Sequence, residues 1–234
     1  MNAVDASRCY ALVPCAGIGA RSGAASPKQY MPIAGRAMVA HTLAALGAVA
    51  RIGGTLVVLA PTDDEFESHV PAFAGEGRWT ARCGGPTRAR SVANGLAQLL
   101  ARGARPDDWV LVHDAARCLV RPGVIDRLID ACLGDAVGGL LALPLADTLK
   151  EGRDGRVRVT IPRADKWAAQ TPQMFRLQLL QQALAQAGDD VTDEAGAIER
   201  LGHAPLLVPG SLENFKVTVA DDFDLARRLL ETRG

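Results

Sequence analysis

Apolar runs of strand length recur along this chain with helical segments between them. CYALVP (9–14), TLVVLA (55–60), WVLVHD (109–114) and GGLLALP (138–144) alternate with segments of helical period at 37–49, 87–101 and 122–133. Runs this apolar throughout suit strands buried on both faces of a parallel sheet. Strand and helix in alternation predict an α/β fold, a doubly wound, mostly parallel sheet. RWTARC (78–83) reads as a weaker strand of the same sheet. The 234 residues are enough for one domain, 1–234, with a sizeable core. Aromatics make up only 4% of the chain, so that core must be built of Ala, Leu and Val. Ligands of such sheets sit beyond the carboxyl ends of the strands.

The first such end is rich in glycine. VPCAGIGARSGAASPKQYMPIAG (13–35) carries Gly17, Gly19, Gly23 and Gly35, with cations at Arg21 and Lys28. Bare N–H groups in a strand-to-helix turn form an anion nest, which points to phosphates. Two common phosphate loops do not fit. A G-x-G-x-x-G fingerprint needs glycine at 17, 19 and 22, and position 22 is Ser. The G-x-x-x-x-G-K-[ST] loop is absent. Glycines with two cations suit a triphosphate whose α-phosphorus is attacked, the cations offsetting the charge that grows in the transition state. Only four of the 26 basic residues are Lys: Lys28, Lys150, Lys166 and Lys216. In so Arg-rich a chain, a Lys hints that a position needs a compact point charge.

The alternation breaks at 145–171. This segment holds short alternating strands around Gly152–Gly155 and too little apolar surface for a core. It reads as a β-arm leaving the domain. Such an arm needs a partner to cover it, which predicts a homodimer. The sheet then resumes with a helix at 175–187, TDEAGAIERLG (192–202), strands at 206–208 and 215–219, and a last amphipathic helix at 222–231.

Composition excludes several classes. Formal net charge is zero, so the basic footprint of a nucleic-acid binder is missing. No run reaches the ~18 apolar residues of a membrane span. The first eight residues carry Asp5 and no apolar core, so no secretory signal is expected. Five cysteines with no C-x-x-C pair fit neither a zinc site nor a disulfide framework; a cytoplasmic location fits best.

The opening loop resembles the signature of nucleotidyltransferases that activate sugars and alcohols. With GGPTRARSV (84–92), VHDAAR (112–117), ADTLK (146–150), PR (162–163), QTPQMF (170–175), TDEA (192–195) and NFKVT (214–218), nearly the whole chain resembles one family, 2-C-methyl-D-erythritol 4-phosphate cytidylyltransferase. The resemblance implies a Rossmann-like nucleotidyltransferase fold whose arm reaches a neighbouring subunit. It implies that an alcohol phosphate attacks the α-phosphorus of CTP, pyrophosphate leaving, with Mg²⁺ present. Arg21 and Lys28 then match the transition-state stabilisers, and Arg163 and Lys216 the pair that positions the nucleophile. Pro14, Cys15, Ala16, Gly17 and Gly19, with Asp114 and Ala115, match nucleotide contacts, and Gly84, Gly85 and Ser91 the cytosine pocket. Asp114 matches the acid near the metal. Thr148, Thr171 and Thr192 match contacts to the alcohol phosphate.

Plainer readings stand beside these. Asp114 ends a strand and could cap the following turn. Thr192 precedes Asp193 and Glu194 and could be a helix cap. His113 reads as a packed strand-end His, and Asp63, Asp64 and Glu65 as a solvated helix start. The chain departs from the family pattern at Cys15 and Cys118, usually Ala and Pro, and at Glu213, often Asp, which is given no metal role. Pro86 removes one backbone N–H from the base pocket. Cys15 should have a lowered thiol pKa if N–H groups and cations surround it. The rival activities are a ribitol 5-phosphate cytidylyltransferase, a dinucleotide oxidoreductase and a nucleotide-binding module without turnover.

Overall fold

The structure is a computed structural model that describes residues 8–17 and 27–233. Gly19 and Arg21 lie outside those residues. The core strands fall where the apolar runs place them: β1 (Cys9–Pro14), β4 (Ile52–Val58), β5 (Arg78–Ala81), β6 (Trp109–Val112) and β7 (Gly138–Pro144). With β10 (Trp167–Arg176) and β11 (Leu206–Pro209) they form one seven-stranded sheet, in the order β11-β7-β10-β6-β1-β4-β5. β1 pairs in parallel with both β4 and β6. The chain runs outward from β1 through β4 to β5, then returns to β6 on the other side. The crevice between β1 and β6 is therefore the switch point at which ligands of such sheets bind.

Alternation along β1 divides the core. Ala11 and Val13 face one layer, where α1 (Met38–Gly47) and α4 (Pro122–Leu133) bring Leu43, Leu46, Ile125 and Leu128. Tyr10 and Leu12 face the other. There α3 (Arg88–Ala101), α5 (Leu177–Ala187) and α6 (Glu194–Arg200) bring Leu96, Leu99, Leu180 and Ile198. A smaller cluster of Ile33, Met38, Leu119, Val217 and Ala226 seats α7 (Ala220–Glu231) beside the two-residue strands β2 (Pro32–Ile33) and β3 (Arg36–Ala37). No helix among the described residues is long and apolar enough to cross a membrane.

Three boundaries differ from the sequence reading. The arm proper is the hairpin of β8 (Leu149–Arg153) and β9 (Arg156–Ile161). Residues 167–171 belong instead to β10, which runs antiparallel between β6 and β7. β10 is buried on both faces from Gln170 to Phe175, so the helix expected from 175 starts only at Leu177. No strand forms at 215–219. Val217 donates its N–H to the Ala116 carbonyl, and Asp222 gathers the N–H groups of Thr218 and Val219 to start α7. The hairpin leaves Val157 and Val159 exposed.

Candidate active site

A cavity of about 470 Å³ opens at the carboxyl ends of β1 and β6. β1 delivers Pro14, Cys15, Ala16 and Gly17 to one wall. The Cys15 N–H donates to the Val58 carbonyl (2.8 Å), and the Gln29 amide nitrogen donates to the Cys15 carbonyl (3.2 Å). Gln29 sits in a 3-10 turn, Lys28–Tyr30, that places Lys28 at the same cavity. Burial lowers the Lys28 pKa and Lys216 lowers it further, against the opposing charge of Asp222.

The facing wall is the 84–91 turn. The Gly84 N–H donates to the Leu59 carbonyl (2.8 Å). The Gly85 N–H donates to Ser91 Oγ (3.0 Å), and that hydroxyl donates to the Thr87 carbonyl (3.0 Å). Thr87 caps α3 by accepting from the Arg90 N–H. Ser91 is thus buried and spends its proton on the turn, while Gly85 and Ser91 both line the cavity. Gly84 does not line it. It backs Ala16 so closely that a Cβ there would meet the Ala16 Cβ and sit 2.8 Å from the Leu59 carbonyl oxygen.

Asp114 and Ala115 follow β6 and close the cavity with Lys216. Asp114 caps no turn. Its Oδ1 accepts from Arg88 Nε (2.9 Å) and its Oδ2 from Lys216 Nζ (2.8 Å). Arg88 gives its other two nitrogens to Glu194, at 2.7 and 3.0 Å. Burial would raise the Asp114 pKa, but Arg88 and Lys216 overcome it and hold the carboxyl well below the usual range. Burial likewise works against the Arg88 charge, and Glu194 and Asp114 outweigh it. Two acids and two bases thus run in a line from α6 to the cavity wall.

A second cavity of about 180 Å³ adjoins the first and shares Arg88, Asp114 and Lys216 with it. Thr171, Thr192 and Arg117 also line it. Arg88, Arg117 and Lys216 set three positive charges against the two negative ones of Asp114 and Asp193 in the same lining, an excess that suits an anion. The cap of α6 is Asp193, which accepts from the Gly196 N–H, so Thr192 is left beside the cavity without that job. Thr171 is committed elsewhere. Its hydroxyl accepts from the Asp114 N–H (3.0 Å) and lies 3.0 Å from His113 Nδ1. His113 Nε2 sits 3.1 Å from the Arg117 carbonyl and must donate there, so Nδ1 accepts the Thr171 proton. Thr171 can offer a ligand only a lone pair. His113 is the packed strand-end residue expected, and burial lowers its pKa to about 4.

Some expectations do not hold. Cys15 is buried, and burial raises its thiol pKa, with Asp63 adding to the rise, so the thiol is not activated. Asp63 stands at a helix start, as expected, accepting the Glu65 and Phe66 N–H groups that open α2 (Phe66–His69), but it is half-buried and also accepts the Tyr30 hydroxyl (2.5 Å). Thr148 and Arg163, which the resemblance assigns to a neighbouring subunit's site, are exposed and line neither cavity of their own chain. Glu213 pairs with Arg121 and Arg233, consistent with no metal role. Arg88, Arg117, Gln29 and Glu194 escaped the sequence reading. Arg88 and Arg117 stand inside the quoted motifs, but in a chain this rich in Arg nothing marks them out.

No group of three or more His, Cys, Asp or Glu among the described residues could hold a metal ion. The donor set at the cavity is Asp114 alone, with a cation on each oxygen. Mg²⁺ binds through one or two carboxylates plus substrate phosphates. This set therefore fits an ion that arrives with a nucleotide rather than a preformed metal site.

Residues 9–232 match the family 2-C-methyl-D-erythritol 4-phosphate cytidylyltransferase (IspD). A protein of that name from Paraburkholderia phymatum is 54% identical over 96% of this chain and 97% of its own. The "Bifunctional enzyme IspD/IspF" of Albidiferax ferrireducens is 61% identical over 97% of this chain, which spans only 54% of that longer protein. A crystal structure of 4-diphosphocytidyl-2C-methyl-D-erythritol synthase superposes with a TM-score of 0.85 at 39% identity, covering 96% of this chain and 99% of the other. The Francisella tularensis cytidylyltransferase gives 0.80 at 31% identity over 95% of this chain and 99% of its own.

Proposed function

This chain belongs to the 2-C-methyl-D-erythritol 4-phosphate cytidylyltransferase family, and from that premise we propose that it transfers CMP from CTP to 2-C-methyl-D-erythritol 4-phosphate. A phosphate oxygen of the alcohol phosphate forms a bond to the α-phosphorus. The α–β bridging bond breaks, and pyrophosphate leaves with its electron pair. The product is 4-diphosphocytidyl-2-C-methyl-D-erythritol. The carrying observation is the pair of adjoining cavities that share Arg88, Asp114 and Lys216. The larger takes the nucleotide and the smaller, cation-lined one takes the attacking phosphate.

A phosphate dianion is already a competent nucleophile, so no general base is needed. It must be held in line while cations offset repulsion. Lys28 and Arg21 stabilise the transition-state charge. Lys216 holds the nucleophile from its own subunit. The 84–91 turn offers fixed backbone groups to cytosine, with Ser91 holding the turn and Pro86 contributing no N–H. Bound Mg²⁺ would neutralise part of the triphosphate charge, with Asp114 its protein-side carboxylate.

Arg163 and Thr148 serve the neighbouring subunit in this reading. Their absence from the linings of both cavities and the exposed valines of the hairpin support a homodimer through the arm. The five cysteines are free thiols, the state a reducing compartment maintains, which supports a cytoplasmic location.

The deciding assay is pyrophosphate release from CTP with Mg²⁺ and a panel of alcohol phosphates. Turnover should be strongest with 2-C-methyl-D-erythritol 4-phosphate. Equal or faster turnover with ribitol 5-phosphate would transfer the assignment to that substrate, and CTP binding without pyrophosphate release would leave only a binding module. Lys28→Ala should lower kcat by on the order of 10²-fold while CTP binding changes little.

A further inference from the structure

We propose that Glu194 is a positioning residue for the transfer: through Arg88 and Asp114 it sets where the Lys216 ammonium stands, without itself facing either cavity. The inference rests on the reaction assigned above.

Glu194 is fully buried at the first position of α6 and lines neither cavity. A carboxylate in such a place needs a reason, since a well-packed apolar side chain usually serves a helix start as well or better. Among the described residues its carboxylate is hydrogen-bonded to Arg88 alone, 106 positions away, at both terminal nitrogens. A guanidinium fixed at two corners has one orientation left. That orientation presents Nε to Asp114 Oδ1 and leaves Oδ2 for Lys216. Each acid is thereby shared out: Glu194 to one cation, Asp114 to two.

The output of this clamp faces the ligands. Arg88 and Lys216 line both cavities at their junction. Lys216 itself sits in a segment with no strand to hold it, so Asp114 is what fixes its side chain. Remove the Glu194 charge, and both terminal nitrogens of Arg88 are freed to turn onto Asp114. Arg88 then takes both carboxylate oxygens, and Lys216 loses its anchor.

The test is a double-mutant cycle between Glu194 and Lys216, which do not touch. Residues that neither touch nor share a network give additive effects, whereas linked ones do not. Glu194→Gln should lower kcat/KM for the alcohol phosphate about tenfold in the wild-type background. In a Lys216→Gln background the same change should cost less than twofold, because the residue it acts on is gone. An equal factor in both backgrounds overturns the proposal. The four proteins are also unfolded in urea, which needs no turnover, and there the two substitutions should again be less than additive. Additive midpoint shifts overturn the relay even where residual rates are too low to measure. If Glu194→Gln does not fold, Glu194→Asp keeps the charge but shortens the reach by one methylene, and it must show the same dependence on Lys216. A wild-type protein that turns over no alcohol phosphate refutes the assigned reaction, and the urea cycle then decides the relay alone.

Discussion

Asp114→Asn isolates the energetic centre of the site. The substitution keeps the shape, removes one negative charge and points an amide N–H₂ at one of two cations. Breaking a buried ion pair by removing one partner costs roughly 3–5 kcal/mol. Two features here lower that figure. Lys216 has 44% of its side chain exposed, so its half of the interaction counts as a surface pair worth ~0–1 kcal/mol. Arg88 keeps Glu194 and is not left uncompensated. About 3 kcal/mol is therefore expected, or a fall in Tm on the order of 6–12 °C for a chain of this size. The pH dependence supplies a second check. The carboxyl titrates lower in the folded protein than in the unfolded chain, where Asp lies near ~3.9. Its contribution is therefore complete above that value and is lost as pH falls below it. The stability difference between wild type and variant should be flat from about pH 8 to 5 and on the order of 1 kcal/mol smaller by pH 3. Urea unfolding of both proteins across that range measures it. A difference below ~1 kcal/mol at pH 7, or one undiminished at pH 3, would refute the reasoning.

His113 is held neutral with a pKa of about 4 against ~6.5 unfolded, so its contribution is complete above ~6.5 and is lost as pH falls toward 4. Wild-type urea unfolding should show that slope, and His113→Gln should flatten it; an unchanged slope would put its origin elsewhere. Gly84→Ala places a methyl against the Ala16 Cβ and the Leu59 carbonyl, so it should cost about 1–3 kcal/mol and raise the KM for CTP. An unaltered KM would show that the turn and the phosphate loop move independently. Cys15 should resist iodoacetamide in the native protein, with or without CTP, because its thiol is buried and its pKa raised; mass spectrometry finding rapid labelling would contradict the packing. Lys28→Ala and Arg163→Ala, each inactive alone, should recover about a quarter of wild-type activity after equal mixing and subunit exchange, since half the dimers are mixed and each of those has one intact site. No recovery despite verified exchange would mean that Arg163 serves its own subunit.

Local signals carried much of the fold. Strands 9–14 and 138–144 and helix 122–133 stand at the expected residues because each is a long apolar or amphipathic run with its own period. What failed was non-local. Residues 170–175 look like the end of an arm or the start of a helix, and they join a central strand only because β6 and β7 pair with Gln173–Phe175 from either side. The segment at 215–219 has the apolar alternation of a strand, yet no neighbour accepts it beyond the single bond to Ala116.

The site divides along the same line. Backbone cradles leave a mark, because glycine is required where two chain segments approach as closely as Gly84 and Ala16 do. Lys28 and Lys216 also stand out, since a Lys in so Arg-rich a chain is informative. The relay of Glu194, Arg88, Asp114 and Lys216 leaves none. Its members come from four segments, each has a commonplace local reading, and only the fold joins them. Glu194 looks like an ordinary acid at a helix N-terminus, where the dipole alone would justify it. Complete burial against an arginine that also walls the cavities is what separates the two readings. An acid that served the dipole would face solvent, and its loss would cost a few tenths of a kcal/mol and leave Lys216 untouched. An acid that anchors Arg88 cannot be removed without the loss being felt at the phosphate.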